Sequence, residues 1–560
     1  MNQNSPIIRK VVYLSAIAVL MLPLYWLGQP ASYSEDRTPE GGGQLALLRM
    51  ENQLSQAELG EIDPTSESMK LATLGLRGPA ANFLWNKAMK YQRRKNWDAL
   101  SATVQQIIRL QPNFLGVWEF QSHNLTYNVS VDFDDYRHRY TWVKKGIDFL
   151  CIGNRYNHDE PRLLHYTGWF IGQKIGIADE HVEFRELFRN DQDYHDVLRK
   201  AMRDFEHDMD SQDASGRHNR KPDNWLVGRL WYLQAVRAVD SLGKSIRKKS
   251  PLVFHADPAK SRMNYADAIE DEGHFGEVAQ NAWARAGKEW EVYADHPIPT
   301  SWGMTIKLNL ADENRRRINE IQEHLESLVP GVKDRIIKRR KEDLSERELA
   351  IWNTPEDKQN EFSAEDWYTR HLVGQKLSVS HTQLASQAPE SKRDDVEQIV
   401  RRLNRKLQLS RRVRSYRQIV NFDYWRTRCI VEQTMEAAKA REHGYKGMKH
   451  FNEAELELAR EQFEESWKMW LQVIARFPQL KSGDTRDELL KQMQSYKMTL
   501  THLGEEQPSF VDPLEWLDST GPIDTKNPPS DMILNAGEST DEPASSGADD
   551  DDPPPVEPKK

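Results

Sequence analysis

Two stretches of this chain crowd carboxylates and histidines together closely enough to suggest chemistry. In Glu270-Asp271-Glu272-Gly273-His274-Phe275-Gly276-Glu277, three consecutive acids precede a histidine. These are the groups of general acid–base catalysis, and Glu270, Asp271 and His274 are the candidates for an inter-helix catalytic site. Their setting favours a structural role, because Gly273 suits a helix C-cap and the acids that follow suit the next helix N-terminus. The second stretch, DFEHDMDSQDASGRH, brings Asp204, Glu206, His207, Asp208, Asp210, Asp213 and His218 together. Hard oxygen ligands at that density suit calcium. The EF-hand order is absent, however: Asp208, Asp210 and Asp213 have the wrong spacing and Gly216 comes too late. A solvated loop between helices is the expectation.

Other chemistry is excluded by what the chain lacks. No HExxH, G-x-S-x-G or Walker loop occurs. The two cysteines, Cys151 and Cys429, are too few for a CxxC zinc site, a CxxCH haem site or a disulfide framework. Both lie in apolar helical patterns, where free buried thiols are expected. No catalytic residue, cofactor or metal site is assigned, and the chain is read as a non-enzyme.

A basic run, Arg401, Arg402, Arg405, Lys406, Arg411, Arg412, Arg414 and Arg417, suits an anionic partner. The acidic tail at Asp549–Asp552 is one such partner. Leu403, Leu407 and Val413 interleave at helical spacing, so most of the run is expected on the solvated face of an amphipathic helix. A net charge of -9 argues against a general nucleic-acid binder. Asn124-Leu125-Thr126 and Asn128-Val129-Ser130 are formal glycosylation acceptors, but on a packed helix they are expected to serve as polar packing or end caps.

The elements that must position these residues are helical. Leu84, Trp85, Ala88 and Tyr91 share one helix face, and Leu100, Val104, Ile107, Ile108 and Leu110 form a second before Pro112. Phe114, Val117, Trp118, Gln121 and Leu125 begin another pair, completed by Tyr140, Trp142, Val143, Ile147 and Leu150. Pro161 opens a third helix pattern with Leu164, Trp169, Phe170 and Ile175. Trp225 to Val239, Tyr265 to Ile269, Val278 to Trp290, and Ala454 to Val473 ending at Phe477-Pro478 read the same way. No strand alternation is evident. Paired helices of about 34 residues are the unit of tetratricopeptide arrays. With Ala81 as a first position, Ala88, Tyr91 and Pro112 fall where that pattern expects small, Tyr and Pro; Leu100 and Ile107 depart from it. The predicted fold is all-α: stacked, TPR-like helical hairpins forming an α-solenoid behind a single N-terminal transmembrane helix.

Residues 11–28 supply that helix. The run VVYLSAIAVLMLPLYWL follows Arg9 and Lys10, meets the lower length limit for a span of about 17 residues, and carries Tyr25 and Trp26 at its outer end. Basic residues on the short side place residues 1–10 in the cytoplasm and the bulk in the periplasm or an equivalent exported space. A poor small-x-small match after Gly28 favours an uncleaved anchor. Residues 29–65 read as a flexible tether, 66–310 as the TPR-like region, 311–350 as a charged helical hairpin or hinge, 351–503 as a C-terminal helical region, and 504–560 as an acidic, Pro-rich disordered tail. The 560 residues are 38% hydrophobic and 29% charged, with 17 tryptophans, which is enough apolar material for a sizeable core.

The stretches LRGPAANFLW, LQPNF with VWEFQSHNLTYNVS, and FHADPAKSRMNYADAIEDEGHFGEVAQNAWARAGKEW resemble a group of membrane-anchored planctomycete proteins. The resemblance covers roughly residues 70–300 and 435–500. It implies a single anchor and a tetratricopeptide-like body, and offers no catalytic residue to carry over. The expected function is that of an extracytoplasmic scaffold for proteins or peptides of the cell envelope. The candidate surface is Trp85, Tyr91, Trp118 and Trp231, serving as core or groove, together with Arg411 and Arg412. The alternatives are an envelope enzyme at His274 and a lipid- or glycan-handling helical protein.

Overall fold

A computed structural model describes residues 6–27, 32–33, 39–41, 44 and 77–505, apart from 217–219, 248, 302, 356–357 and 360–361. The first helix, α1 (Pro6–Leu27), contains the apolar run. Its described large apolar side chains, among them Val11, Leu14, Leu20 and Trp26, are more than half exposed. Among the described residues no helix is long and apolar enough to cross a membrane. The expected span falls partly outside that set, which omits Gly28 and the side chains of Ile17, Ala18, Met21, Leu24, Tyr25 and Leu27. Most of the expected tether and nearly all of the acidic tail also lie outside the described residues. Within the tether, Ser32–Tyr33 pairs antiparallel with Pro39–Gly41.

The body is all-α, as its periodicity requires. α2 (Arg77–Arg93) and α3 (Trp97–Leu110) form the first hairpin. Asn96 caps α3 by accepting from the Ala99 amide at 3.1 Å, and Leu100, Val104, Ile107 and Ile108 become its buried stripe. α4 (Leu115–His123) continues through a π-turn at Asn124–Val129 and is followed by α5 (Tyr136–Tyr156), whose cap is Asp135. α6 (Pro161–Trp169) begins at the proline that fixes its first turn, and a second π-turn follows at Phe170–Lys174. The two π-turns open 46 residues apart, at Asn124 and Phe170, so two successive hairpins carry the same irregularity at the same place. α7 (His181–Asn190), α8 (Gln192–Ala201), α9 (Asn224–Asp240), α10 (Pro251–Asp271) and α11 (Glu277–Asp295) complete this run.

α6 and α9 pack closely because glycine faces glycine. A Cβ on Gly168 would lie 2.7 Å from the Gly228 carbonyl oxygen, and one on Gly228 would lie 2.8 Å from that of Gly168. Neither separation admits a side chain.

The chain then leaves this unit. Residues 306–418 form a second compact unit, and 419–509 return to the first. The units therefore do not divide at 310 and 350, where the composition changes; the charged hairpin is only the start of an insertion. It comprises α12 (Leu310–Leu328), α13 (Val332–Glu342), α14 (Glu346–Asn353), α15 (Ala364–Leu377), α16 (His381–Ser386) and α17 (Arg393–Ile419). Three of these start with capping boxes, Ser345 with Glu348, Ser363 with Asp366 and Ser380 with Gln383, each satisfying two otherwise orphaned amide groups. The insertion has its own core, in which Ile318, Leu325 and Val332 pack with Val396, Val400, Leu403 and Leu407. Back in the first unit are α18 (Phe422–Val431), α19 (Met435–Asn452), α20 (Leu456–Arg476) and α21 (Asp484–Leu503). Cys151 and Cys429 are buried and free.

Candidate functional site

The acid–histidine turn folds as a helix boundary. α10 ends at Asp271, and Gly273 takes φ +84°, where only glycine is free of strain. The His274 amide closes the turn by donating to the Ile269 carbonyl at 2.9 Å. His274 and Asp271 are exposed and Glu270 is buried. Glu270 is therefore turned into the interior, while Asp271 and His274 reach the surface.

The neighbouring acids instead enter two separate ionic networks. Glu272 takes a two-pronged grip on Arg189, with both contacts at 2.7 Å, and accepts from Arg185 Nε at 2.8 Å. Arg185, buried in turn, holds Asp223 at 3.1 Å and Asn224 at 2.7 Å. Glu270 faces the other network, built on two arginines. Arg428, with no exposed surface, pairs with Asp267, with Glu488 at 3.0 Å and with Glu432 at 3.7 Å. Its guanidinium lies over the Trp283 ring, 5.0 Å from the centroid. Arg441 binds Glu432 at 2.5 Å and also Glu488. Arg428, Glu488, Arg441 and Glu432 thus close a ring of alternating charge that ties α18, α19 and α21 together.

Glu270 is the surplus acid. Its nearest cation, Arg441 Nε, is 3.9 Å away, and neither carboxyl oxygen has a hydrogen-bond partner among the described residues. Burial, reinforced by the Glu432 carboxylate, pushes the Glu270 carboxyl well above the usual range. Burial acts on Glu488 in the same direction, but Arg441 and Arg428 outweigh it and hold that carboxyl below the usual range. Arg441 donates to Glu432 and Glu488 and Arg428 Nη2 to Asp267 and Glu488, which ties the helices together, whereas Arg428 Nε and Nη1 have no hydrogen-bond partner among the described residues.

Arg428, Glu432, Arg441 and Glu488 were not singled out from the sequence. The available signal was a charged residue inside an apolar helix, as Arg428 is in FDYWRTRCIV. Its acidic partner Asp267 lies 161 positions away, a pairing no local pattern reveals.

The tryptophan candidates divide. Trp118 and Trp231 are fully buried and are core, not surface; Trp118 donates its indole N–H to the Pro112 carbonyl at 2.8 Å. Trp85 and Tyr91 remain half-buried. Trp85 belongs to a series of rings on the first helices of successive hairpins and on the turns at their ends. It meets Phe114 and Phe120 with centroids 5.4 and 4.8 Å apart, and Tyr127 meets Trp169 at 5.9 Å. Trp169 is 37% exposed. Lys87 lies 5.7 Å from the Tyr91 centroid and Lys174 lies 4.7 Å from that of Tyr127. The stripe is aromatic, partly wet and basic at its edge.

The Asp204–Asp213 stretch forms an irregular connection between helices; His218 lies outside the described residues. Asp210 binds Arg199 at 3.0 Å and Asp213 binds Arg262 at 3.1 Å, so these acids serve ion pairs. In the second unit α17 is amphipathic as its spacing requires. Arg411 is exposed and Arg412 half-buried. Arg417 departs from the solvated face: it is buried and pairs with Asp312 at 3.2 Å. Asn124 is buried and accepts from Gln92 at 3.0 Å, a packing role. No family model, curated protein or solved structure matches the chain.

Proposed function

We propose that this protein is a membrane-anchored, extracytoplasmic scaffold whose TPR-like helical hairpins hold an extended, acidic segment of a partner protein. The observation that carries the reading is the partly exposed set of rings Trp85–Phe114–Phe120 and Tyr127–Trp169, on the first helices of successive hairpins and the turns at their ends, with Lys174 over Tyr127 and Lys87 over the neighbouring Tyr91. Stacked hairpins expose the inner helix of each pair along a continuous surface suited to extended ligands. Rings that are rigid and partly solvated supply binding area at low entropic cost, and adjacent ammonium groups favour acidic residues. Ala81 and Ala88, both buried, fit the small positions at which tetratricopeptide helices approach each other.

The anchor rests on α1. Its apolar run, residues 11–27, spans about 26 Å at 1.5 Å per residue, at the lower limit for a bilayer core. Its described apolar side chains are left uncovered. The enzymatic alternative at His274 loses support because Glu270 and His274 point into different surroundings.

Affinity purification after crosslinking in intact membranes tests the scaffold reading. A partner band is expected with the native protein and with Gln105→Ala, and is expected to be lost in Tyr127→Ala/Trp169→Ala. Equal recovery from all three, or a hydrolytic activity lost in His274→Ala, would overturn it.

A further inference from the structure

Three helix ends in the first unit meet at Asp240, the last residue of α9, His255 in the second turn of α10, and His296, which caps the end of α11. One ligand atom from each lies within 4.8 Å of the others. We propose that these three side chains form a binding site for one late first-row divalent metal ion of the zinc type, with a coordination position left open to water or an exogenous ligand.

The hydrogen bonding orients the histidine for this task. His255 Nδ1 lies 2.7 Å from the Pro251 carbonyl oxygen, which can only accept, so the ring proton belongs on Nδ1. In the neutral ring Nε2 is then a bare lone pair, and it faces Asp240 Oδ1 at 3.1 Å. Two acceptors at that distance repel unless a proton or cation lies between them. A backbone carbonyl fixing the remote nitrogen of a ligating histidine is the usual support for metal binding.

The His296 ring stacks on His255, with centroids 4.2 Å apart and planes 26° from parallel. A divalent ion draws on both nitrogens and the carboxylate once the His296 ring turns its edge out of the stack toward it.

Asp240 faces both rings: Oδ1 lies 3.1 Å from His255 Nε2 and Oδ2 lies 3.6 Å from His296 Nε2, each near the roughly 3.3–3.5 Å that separates neighbouring ligands of a tetrahedral ion with bonds of about 2.0–2.2 Å. Two imidazoles with one carboxylate select zinc or its neighbours over calcium and magnesium, which prefer all-oxygen shells. His255 is buried, whereas the Asp240 and His296 side chains are 35% and 24% exposed, giving an ion access from solvent. The other comparable cluster, His450 with Glu453 and Glu455, sits on the turn between α19 and α20 and provides an internal control.

The test uses full-length protein in detergent, stripped with a chelator and titrated with Co²⁺ and Zn²⁺. One equivalent of Co²⁺ is expected to give visible d–d absorption that Zn²⁺ abolishes, and Zn²⁺ is expected to raise the melting temperature. His296→Gln and Asp240→Asn should each weaken binding by roughly tenfold or more while leaving metal-free melting unchanged. His450→Gln should bind as the native protein does. Absence of d–d bands and of a Zn²⁺-dependent melting shift in the native protein would overturn the proposal. So would unchanged binding in both His296→Gln and Asp240→Asn, or loss of binding in His450→Gln.

Discussion

Glu270 shows how a residue's chemistry follows from what surrounds it. The sequence sets it beside Asp271 and His274, and helical geometry then turns Glu270 inward toward Arg441 and leaves Asp271 and His274 at the surface. Its raised carboxyl makes a signed prediction. A carboxyl whose folded pKa exceeds its unfolded value contributes fully below the unfolded value, about 4.3, and loses that contribution as pH rises through the folded value. Gln in its place stays neutral at every pH. Glu270→Gln should therefore gain stability relative to the native protein as pH rises above about 4.3, by about 1.4 kcal/mol per pH unit until the folded value is passed. Chemical denaturation between pH 4 and 8 measures this, and parallel profiles would contradict it. At this scale the burial of Cys151 and Cys429 was legible because both lie within apolar helical patterns. The roles of Arg428 and Arg441 were not, because their acidic partners come from distant helices.

At the level of elements, most of the secondary structure could be read directly. Spacing and punctuation at Asn96, Pro112, Pro161 and Gly273 located the helices, and S-x-x-E/D/Q patterns mark the starts of three helices in the insertion. The two π-turns were not legible, since a one-residue widening leaves the apolar pattern almost unchanged. The α6–α9 contact was also hidden, because Gly168 and Gly228 give no sign in sequence that they face each other. That contact is sensitive to volume. With a Cβ 2.7 Å from backbone oxygen, Gly168→Val should force the helices apart and cost about 3 kcal/mol or more, at the upper end of overpacking penalties. Gly243→Ala is a poor comparison because Gly243 has φ +66°; Gly78→Ala, with only one side-chain atom at 4.0 Å, should be near neutral. Equal melting temperatures for the Gly168 and Gly78 variants would refute the tight crossing.

For the whole molecule, composition pointed to a linear series of regions, whereas the fold inserts 306–418 into a unit that resumes at 419. Charge density marks where the insertion begins but not where it ends, since α17 is as amphipathic as its neighbours. Return to the first unit depends on long-range pairs such as Arg428–Asp267 and Trp290 donating to the Phe422 carbonyl at 3.2 Å. The anchor makes its own prediction at this scale: the full chain should stay with membranes through carbonate extraction, and a chain lacking residues 11–27 should be released. Release of the full chain would remove the membrane from the account. The binding claim is tested most directly by a photo-crosslinking amino acid placed in membranes at Trp169, with Gln105 as the control position. The stripe should give a discrete crosslink to one partner at Trp169, competed by an acidic peptide and absent at Gln105; equal crosslinking at both positions, or none at Trp169, would contradict it.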